Sequence, residues 1–301
     1  MSVRQNPLSS PLCFVHTLFG QAWLPRACPP APRFIRSAGP AWLTLQSTSV
    51  VGLPYGSLAR LLLVYLSTEV LRSRTTTVWV GTTPAELLRR LGLAPEGRRY
   101  RMLYRQLQAL LTCHMEMGFH RVMFQGTLGQ TPASLSNVSG THMTCPGWTP
   151  LLPLSPQYCH TLSLHALPLH WETLVALRRS SLAMDIYIWL AHRFHHLATS
   201  EQWISWKHLH DQFGQEYTSR YGLTLFRREF LSALQRIQPL YPQARLQLLP
   251  DGLRLLCSPP PVAPLPSRSG NSPRATPKNH EQPGGDSHPG RQKKKTADLD
   301  S

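Results

Sequence analysis

The 301-residue chain is poor in acid: 15 Asp and Glu stand against 31 Lys and Arg, for a formal net charge of +16. Residues 1–53 contain four Arg and no acid at all, and residues 54–258 hold 19 Arg and one Lys against 11 acids. No acidic cluster suited to magnesium is present, and neither is a Gly-rich phosphate loop or a Gly-x-Ser-x-Gly elbow. These gaps exclude the commonest nucleotide-hydrolysing and serine-hydrolase sites. Long apolar runs are also missing. The longest, such as Leu61 to Leu66, fall far short of the roughly 18 residues that a membrane span needs. The six Cys, at 13, 28, 113, 145, 159 and 257, form no two-residue pair of the zinc-knuckle or redox type. With no secretory signal before them, they are expected as reduced thiols in a cytoplasm. Prolines scattered between Pro7 and Pro32 argue against an amphipathic targeting helix.

What is present is a chain that can fold and that carries positive charge on its folded part. Apolar residues make up 42% and aromatics 9%, enough for a core. A basic excess on a folded unit points to a polyanion partner. Residues 1–53 show no sustained period and are expected as a poorly ordered extension, with Trp23, Phe34 and Trp42 able to dock locally. Residues 259–301 open on Ser258-Pro259-Pro260-Pro261, end in an Arg/Lys run, and are expected as a disordered basic tail.

Between these ends the pattern is mostly helical. A helix is expected over Leu58–Leu71 with Ser57 as its cap, then a short strand over Thr76–Val80. Thr83, Pro84 and Glu86 mark the start of a second helix that stops at Gly92. A third helix runs from about Arg98 to Cys113. Met115–Phe124 reads as a strand, 126–147 as a loop, and Trp148–Leu154 as a returning strand. The order is that of a winged helix-turn-helix, and the second half repeats it. Ser155-Pro156 opens a short helix, Leu167-Pro168 a turn, and Trp171–Arg179 is helical. Helices follow at Ser181–Leu197, Ile204–Phe213 and Leu223–Gln238, and a hairpin spans Arg245–Cys257 with Asp251-Gly252 at its tip. The expected fold is therefore α+β, mostly helical, with tandem winged-helix domains at 54–154 and 155–258.

Two helical faces carry the chemistry. At about 100° per residue, Leu223, Phe226, Phe230, Leu234 and Ile237 share one side of the last helix. Thr224, Arg227, Arg228, Ser232 and Gln235 share the other, with Arg220 just before it. In the third helix Tyr100, Leu103, Leu107, Leu110 and Leu111 back a stripe of Arg98, Arg101, Arg105, Gln108 and Thr112. An ordinary solvated face mixes both signs; these two fronts contain no acid. Arg can pair with guanine, Gln with adenine, and hydroxyls with phosphate. Lys207 and Arg220 are phosphate candidates, and Arg245 or Arg254 would lie near the backbone.

Enzyme readings fare less well. His208-Leu209-His210 matches the metal-binding pattern of Tyr-dependent nicking enzymes, with Tyr217 and Tyr221 downstream. That chemistry needs both His on one strand face, and a helix turns them about 200° apart. His192, His195 and His196 have zinc-compatible spacing but no Glu base between them. Trp189, Trp203 and Trp206 could stack on bases, though their spacing fits a core. No catalytic residue, metal or cofactor is assigned.

Several stretches resemble the RepA-type plasmid replication initiators. They are Leu53-Pro54-Tyr55-Gly56-Ser57-Leu58-Ala59-Arg60, Leu177-Arg178-Arg179-Ser180-Ser181-Leu182-Ala183-Met184-Asp185-Ile186-Tyr187-Ile188-Trp189, Ile204-Ser205-Trp206-Lys207-His208-Leu209, Phe226-Arg227-Arg228-Glu229-Phe230 and Tyr241-Pro242-Gln243-Ala244-Arg245. The similarity covers about residues 53–262. It implies a bacterial, cytoplasmic, plasmid-associated protein without catalytic activity of its own, which binds repeated double-stranded sites (iterons) at an origin. It also implies recruitment of the host initiator and replicative helicase, and it allows a homodimer. A winged-helix transcriptional regulator is the competing reading, and a nicking enzyme a more distant one.

Overall fold

In the computed structural model, which describes residues 11–47, 50–130, 148–197 and 201–263, the N-terminal stretch departs first from expectation. Residues 11–47 are not a poorly ordered extension, and residues 1–10 lie outside the described residues. Leu12–His16 forms β1, followed by a 3-10 turn at Thr17–Gly20, and Arg33–Ala38 (β2) pairs with Ala41–Gln46 (β3). Gly39, at φ 60°, lets the chain reverse between β2 and β3. Cys13, Val15, Leu18, Phe19, Trp23 and Leu24 are all buried, so this stretch supplies core.

The long helix α1, Gly56–Ser73, starts one residue before its expected cap. Tyr55 occupies the cap position, and Ser57 Oγ instead meets Ser181 Oγ at 3.0 Å. Thr77–Trp79 is β4. Thr83 caps α2, Pro84–Arg90, by accepting from Glu86 N, as its sequence signature requires. Glu86 reaches back to Thr82 rather than to the cap. Helix α3 is Gly97–Thr112.

The single strand expected over Met115–Phe124 is two, His114–Phe119 (β5) and Val122–Gly126 (β6), turning at His120 with φ 51°. They extend the N-terminal hairpin into a sheet of order β2-β3-β5-β6. The returning strand β7, Leu151–Pro153, pairs with β4 instead of with that hairpin. Ser155 caps α4, Pro156–Leu164. Leu167-Pro168 lies not in a turn but in β8, Ala166–His170, which pairs antiparallel with β1. A Pro is tolerated there because the sheet has only two strands, each of them an edge.

The remainder is α5 (Trp171–Ala176), α6 (Ser181–His196), β9 (Gln202–Ser205), α7 (Trp206–Phe213) and α8 (Gly222–Ile237). The hairpin β10 (Leu246–Leu249) and β11 (Gly252–Leu255) closes it. Ser180, not Ser181, caps α6. The helix expected from Ile204 is split because Gln202–Ser205 joins the sheet of order β10-β11-β9. The hairpin tip is Pro250-Asp251. Gly252 lies in the strand, where an added Cβ would stand 2.2 Å from the Ile204 carbonyl oxygen.

The described chain is thus mixed α+β, with eight helices and several small antiparallel sheets. One core runs through both halves, from Leu152 and Leu154 straight on to Tyr158 and Leu162 across the boundary expected near 154. Residues 259–261, expected as the start of the tail, are fastened: Tyr241 Oη donates to Pro259 O at 2.6 Å, and the His170 ring lies 2.9 Å from Pro261 O. The rest of the tail and most of the 126–147 loop lie outside the described residues. No helix among the described residues is long and apolar enough to cross a membrane.

Two histidines are sealed in the core. His16 is 0% exposed; its Nδ1 accepts from Leu18 N, and burial with nearby His165 lowers its pKa to about 4. Burial, with His196, Arg193 and His195 around it, takes His192 down to about 3. Both bind protons more readily unfolded than folded. Stability should therefore be full above about pH 6.5 and fall as pH drops toward 4, each histidine contributing up to about 1.4 kcal/mol per pH unit. Urea titrations across that window should show the slope, and His16→Gln should flatten it. Gly252→Ala should cost about 1–3 kcal/mol in the same assay, by forcing β9 and β11 apart. Gly97→Ala, which meets nothing within 4 Å, should not.

Candidate nucleic-acid interface

Helix α8 starts where only glycine fits. A Cβ on Gly222 would lie 2.0 Å from Tyr217 O, so the α7–α8 connection is tight, closed by Gly222 N donating to Ser219 O at 2.8 Å. From there Phe226, Phe230, Ala233, Leu234 and Ile237 are buried. Their ring contacts are mainly to α7: Phe226 to His210, and Phe230 to Trp206 and Phe213, with centroids 5.4–6.0 Å apart. The opposite side faces solvent. Thr224, Arg227, Arg228 and Gln235 are exposed on it, as their periodicity predicts.

Arg228 is 72% exposed and pairs with the neighbouring Glu229, at 3.4 Å. Exposed pairs of this kind contribute little and are readily exchanged for a stronger anion. Arg227 lies over the Trp206 ring at 4.9 Å, and Arg220 over Tyr221 at 5.6 Å. Both guanidiniums are therefore oriented by aromatic faces. Lys207 is exposed in the first turn of α7. Arg254 on β11 pairs in register with Trp203 and Gln247, and Arg245 is exposed just before β10.

Two positions differ from the helical projection. Leu223, assigned to the apolar back, is 47% exposed, because the first turn of α8 extends past its packing partners. Ser232, assigned to the front, is half-buried. It lines a cavity of about 230 Å³ with Arg26, Ser180, Ser181, Tyr217, Glu229 and Arg236, where α8 passes the start of α6. Of the three tryptophans, Trp189 and Trp206 are core, and Trp203 is 49% exposed.

On α3, Arg98, Arg101 and Arg105 are exposed and Gln108 is half-buried, while Leu103, Leu107, Leu110 and Leu111 fill the core behind them. Arg105 reaches back to the N-terminal segment. It donates to Val51 O at 3.3 Å and to Cys28 Sγ at 3.4 Å, and sits 5.5 Å from the Tyr55 ring. The nicking motif lies on α7, where His208 caps onto Ser205 and His210 packs on Phe226, so the two rings do not converge. Among the described residues no group of three His, Cys, Asp or Glu comes together as a metal site.

The residues that hold these helices were not apparent in the sequence. Arg60 on α1 binds Asp185 on α6 with two hydrogen bonds, 2.6 and 2.8 Å, both side chains buried. Arg26 bridges Asp185 at 3.7 Å and Glu216 at 2.9 Å, and donates to Phe213 O. Arg36, itself 1% exposed, bonds to Glu216; burial lowers its pKa and Glu216 opposes that. Gln215 donates to Ser37 O. The α7–α8 connection is thereby tied to the N-terminal strands. The available signal was slight: the Arg of an acid-free segment must find their counter-charges elsewhere in the chain.

The sequence profile of the plasmid-encoded RepA protein family matches residues 53–208, just over half of the chain. The chain belongs to this family. The matched stretch of the RepA family runs from the start of α1 into α7, so it contains Arg60, Asp185 and α3. The N-terminal strands, α8 and the β10–β11 hairpin lie outside it. Two crystal structures of domains 2 and 3 of RctB align with the chain. One has a TM-score of 0.48 at 10% identity, covering 79% of this chain and 96% of that one. The other has a TM-score of 0.42 at 11% identity, covering 73% and 82%. At these scores neither alignment establishes a common fold. No curated protein matches the sequence.

Asp185→Asn should strip Arg60 of its counter-charge inside the core and cost about 3–5 kcal/mol by denaturant titration. Glu216→Gln should also destabilise, because Arg36, 1% exposed, loses its counter-charge; the loss should be smaller than for Asp185→Asn, because Glu216 is 36% exposed and its attraction is already screened by water.

Proposed function

We propose that this RepA-family chain is a plasmid replication initiator that binds repeated double-stranded sites at its origin through two winged-helix units, 54–154 and 155–258. In this reading α3 and α8 are the reading helices, each in a major groove, with successive grooves about one helical turn apart. Arg228, Arg227, Gln235 and Thr224 read the second groove; Arg98, Arg101, Arg105 and Gln108 the first. Lys207 and Arg220 hold phosphate, and the β10–β11 hairpin is the wing, with Arg254 or Arg245 near the backbone. The protein acts in the bacterial cytoplasm without catalysis of its own. It hands the bound origin to the host initiator and replicative helicase, and it can pair with a second copy. The basic tail adds unspecific phosphate affinity.

One observation carries this reading: α8 presents exposed Thr224, Arg227, Arg228 and Gln235 on the face opposite its buried phenylalanines, in the order β9, α7, α8, β10, β11 with sheet order β10-β11-β9. This order and strand pairing, with the last helix turned outward, support the winged-helix reading of the second unit.

The test is binding to duplex tiles covering the flanks of its own gene, against scrambled duplexes, across a salt series. One tile should bind far more tightly, and about six phosphate contacts should cost roughly a thousandfold between 50 and 200 mM salt. Uniform weak binding to every tile would refute the reading, as would preference for single strands. On the preferred tile Arg228→Ala should lose about 1–3 kcal/mol and relax sequence preference, whereas Lys207→Ala should weaken all duplexes alike and lower the salt slope by about one.

A further inference from the structure

The first turn of α8 is unlike the rest of that helix. Tyr221 is 64% exposed, Leu223 47% and Leu225 36%, and Thr224 between them is exposed too. Three successive exposed helical residues span about 200° of this turn, so only the side of Gly222 and Phe226 is covered. Elsewhere in α8 the large apolar side chains are buried or half-buried. Leaving two leucines in water forgoes burial that the core could have used, at about 0.8 kcal/mol per methylene.

The surroundings say what covers them. Arg220 precedes the turn, Arg227 and Arg228 follow one turn on, and the one acid near them, Glu229, is already engaged by Arg228. Leu223 and Leu225 stand on opposite edges of the turn, about 200° apart with Thr224 between them, and two apolar edges framed by guanidiniums suit a surface that is apolar in patches and anionic at its borders. The floor of a DNA major groove has that character: thymine exposes a 5-methyl group there, between two rows of phosphates. The first turn of a reading helix is also the part that meets base edges.

We propose that Leu223 and Leu225 recognise thymine through its 5-methyl group and set a thymine preference in the bound site. The inference rests on α8 being the reading helix. Arg227 and Arg228 also hold the turn in the groove by their charge, and the leucines add discrimination of the thymine methyl, which no hydrogen bond senses. Removing the methyl from the base leaves every Watson–Crick and groove hydrogen bond in place, so its contribution can be isolated.

The probe is the preferred tile, synthesised once with thymine and once with uracil at every thymine position. The wild-type chain should bind the uracil duplex more weakly, by about fourfold for each methyl that a leucine buries. Leu223→Ser and Leu225→Ser change exposed side chains and should fold normally. Each should bind the thymine duplex more weakly and show a reduced preference for thymine over uracil. Lys207→Ala should lose affinity and keep the full preference. Equal wild-type binding to both duplexes would overturn the proposal. So would serine variants that keep the whole preference, since the methyl would then act through DNA shape. Serine variants that bind the thymine duplex as tightly as wild type would place the leucines against another protein or solvent. In these three cases site-specific binding stands and the thymine assignment falls. If no tile is preferred, the reading of α8 itself falls and takes this inference with it.

Discussion

The arrangement depends on one buried guanidinium. Arg60 has its Nε and Nη2 on the two carboxylate oxygens of Asp185, and gives its remaining hydrogens to Leu24 O, Pro25 O and Gly56 O at 2.6–3.1 Å. A charge taken out of water is tolerable only when its counter-charge and all its donors are satisfied together. Here the carboxylate comes from α6, two carbonyls from the N-terminal segment, and one from the first turn of α1 itself. None of the three pieces can be withdrawn without leaving charge or polar groups stranded. The pair therefore fixes how these segments sit against each other, which a purely apolar contact would leave free to slide.

The ion pairs continue toward the solvent side. Arg26 joins Asp185 to Glu216, and Arg36 holds Glu216 from β2, so the turn that launches α8 is fastened to the N-terminal strands. Arg105 on α3 is fastened to the same region through Val51 and Cys28. Both basic faces thus take their bearings from residues 26–51. The placement of the two faces rests on ion pairs at α8 and on the Arg105 hydrogen bonds at α3, both to this segment.

How much of this was legible follows from the range of the interactions. Helices announce themselves locally: Thr83, Pro84 and Glu86 start α2, and the spacing of Phe226, Phe230 and Ile237 faces α8 inward. The basic fronts could be read because exposure follows from the same periodicity. Leu223 was misplaced because a helical projection ignores where the neighbouring element ends. The strands of the N-terminal segment were missed because two six-residue runs with Arg among them carry little periodic signal, and their partner β5 lies about 70 residues on. Leu167-Pro168 looks like a turn by composition and is a strand because β1 pairs with it. Which acids the ion-pair framework uses could not be read, since its partners are separated by 125 to 190 residues.

That separation has a consequence in time. Strand β1 pairs with β8, and Cys13 Sγ donates to Leu169 O across 156 residues. On a ribosome adding about 5–20 residues per second, β1 waits on the order of ten seconds or more for its partner. Until then Val15, Phe19 and Trp23 have no finished core to enter, and the Arg60 guanidinium has no carboxylate. The nascent chain must carry an apolar, positively charged leading segment through that interval, beside the polyanionic RNA of the ribosome. Its synthesis is thus the stage most exposed to aggregation, and the one in which holding chaperones would matter most.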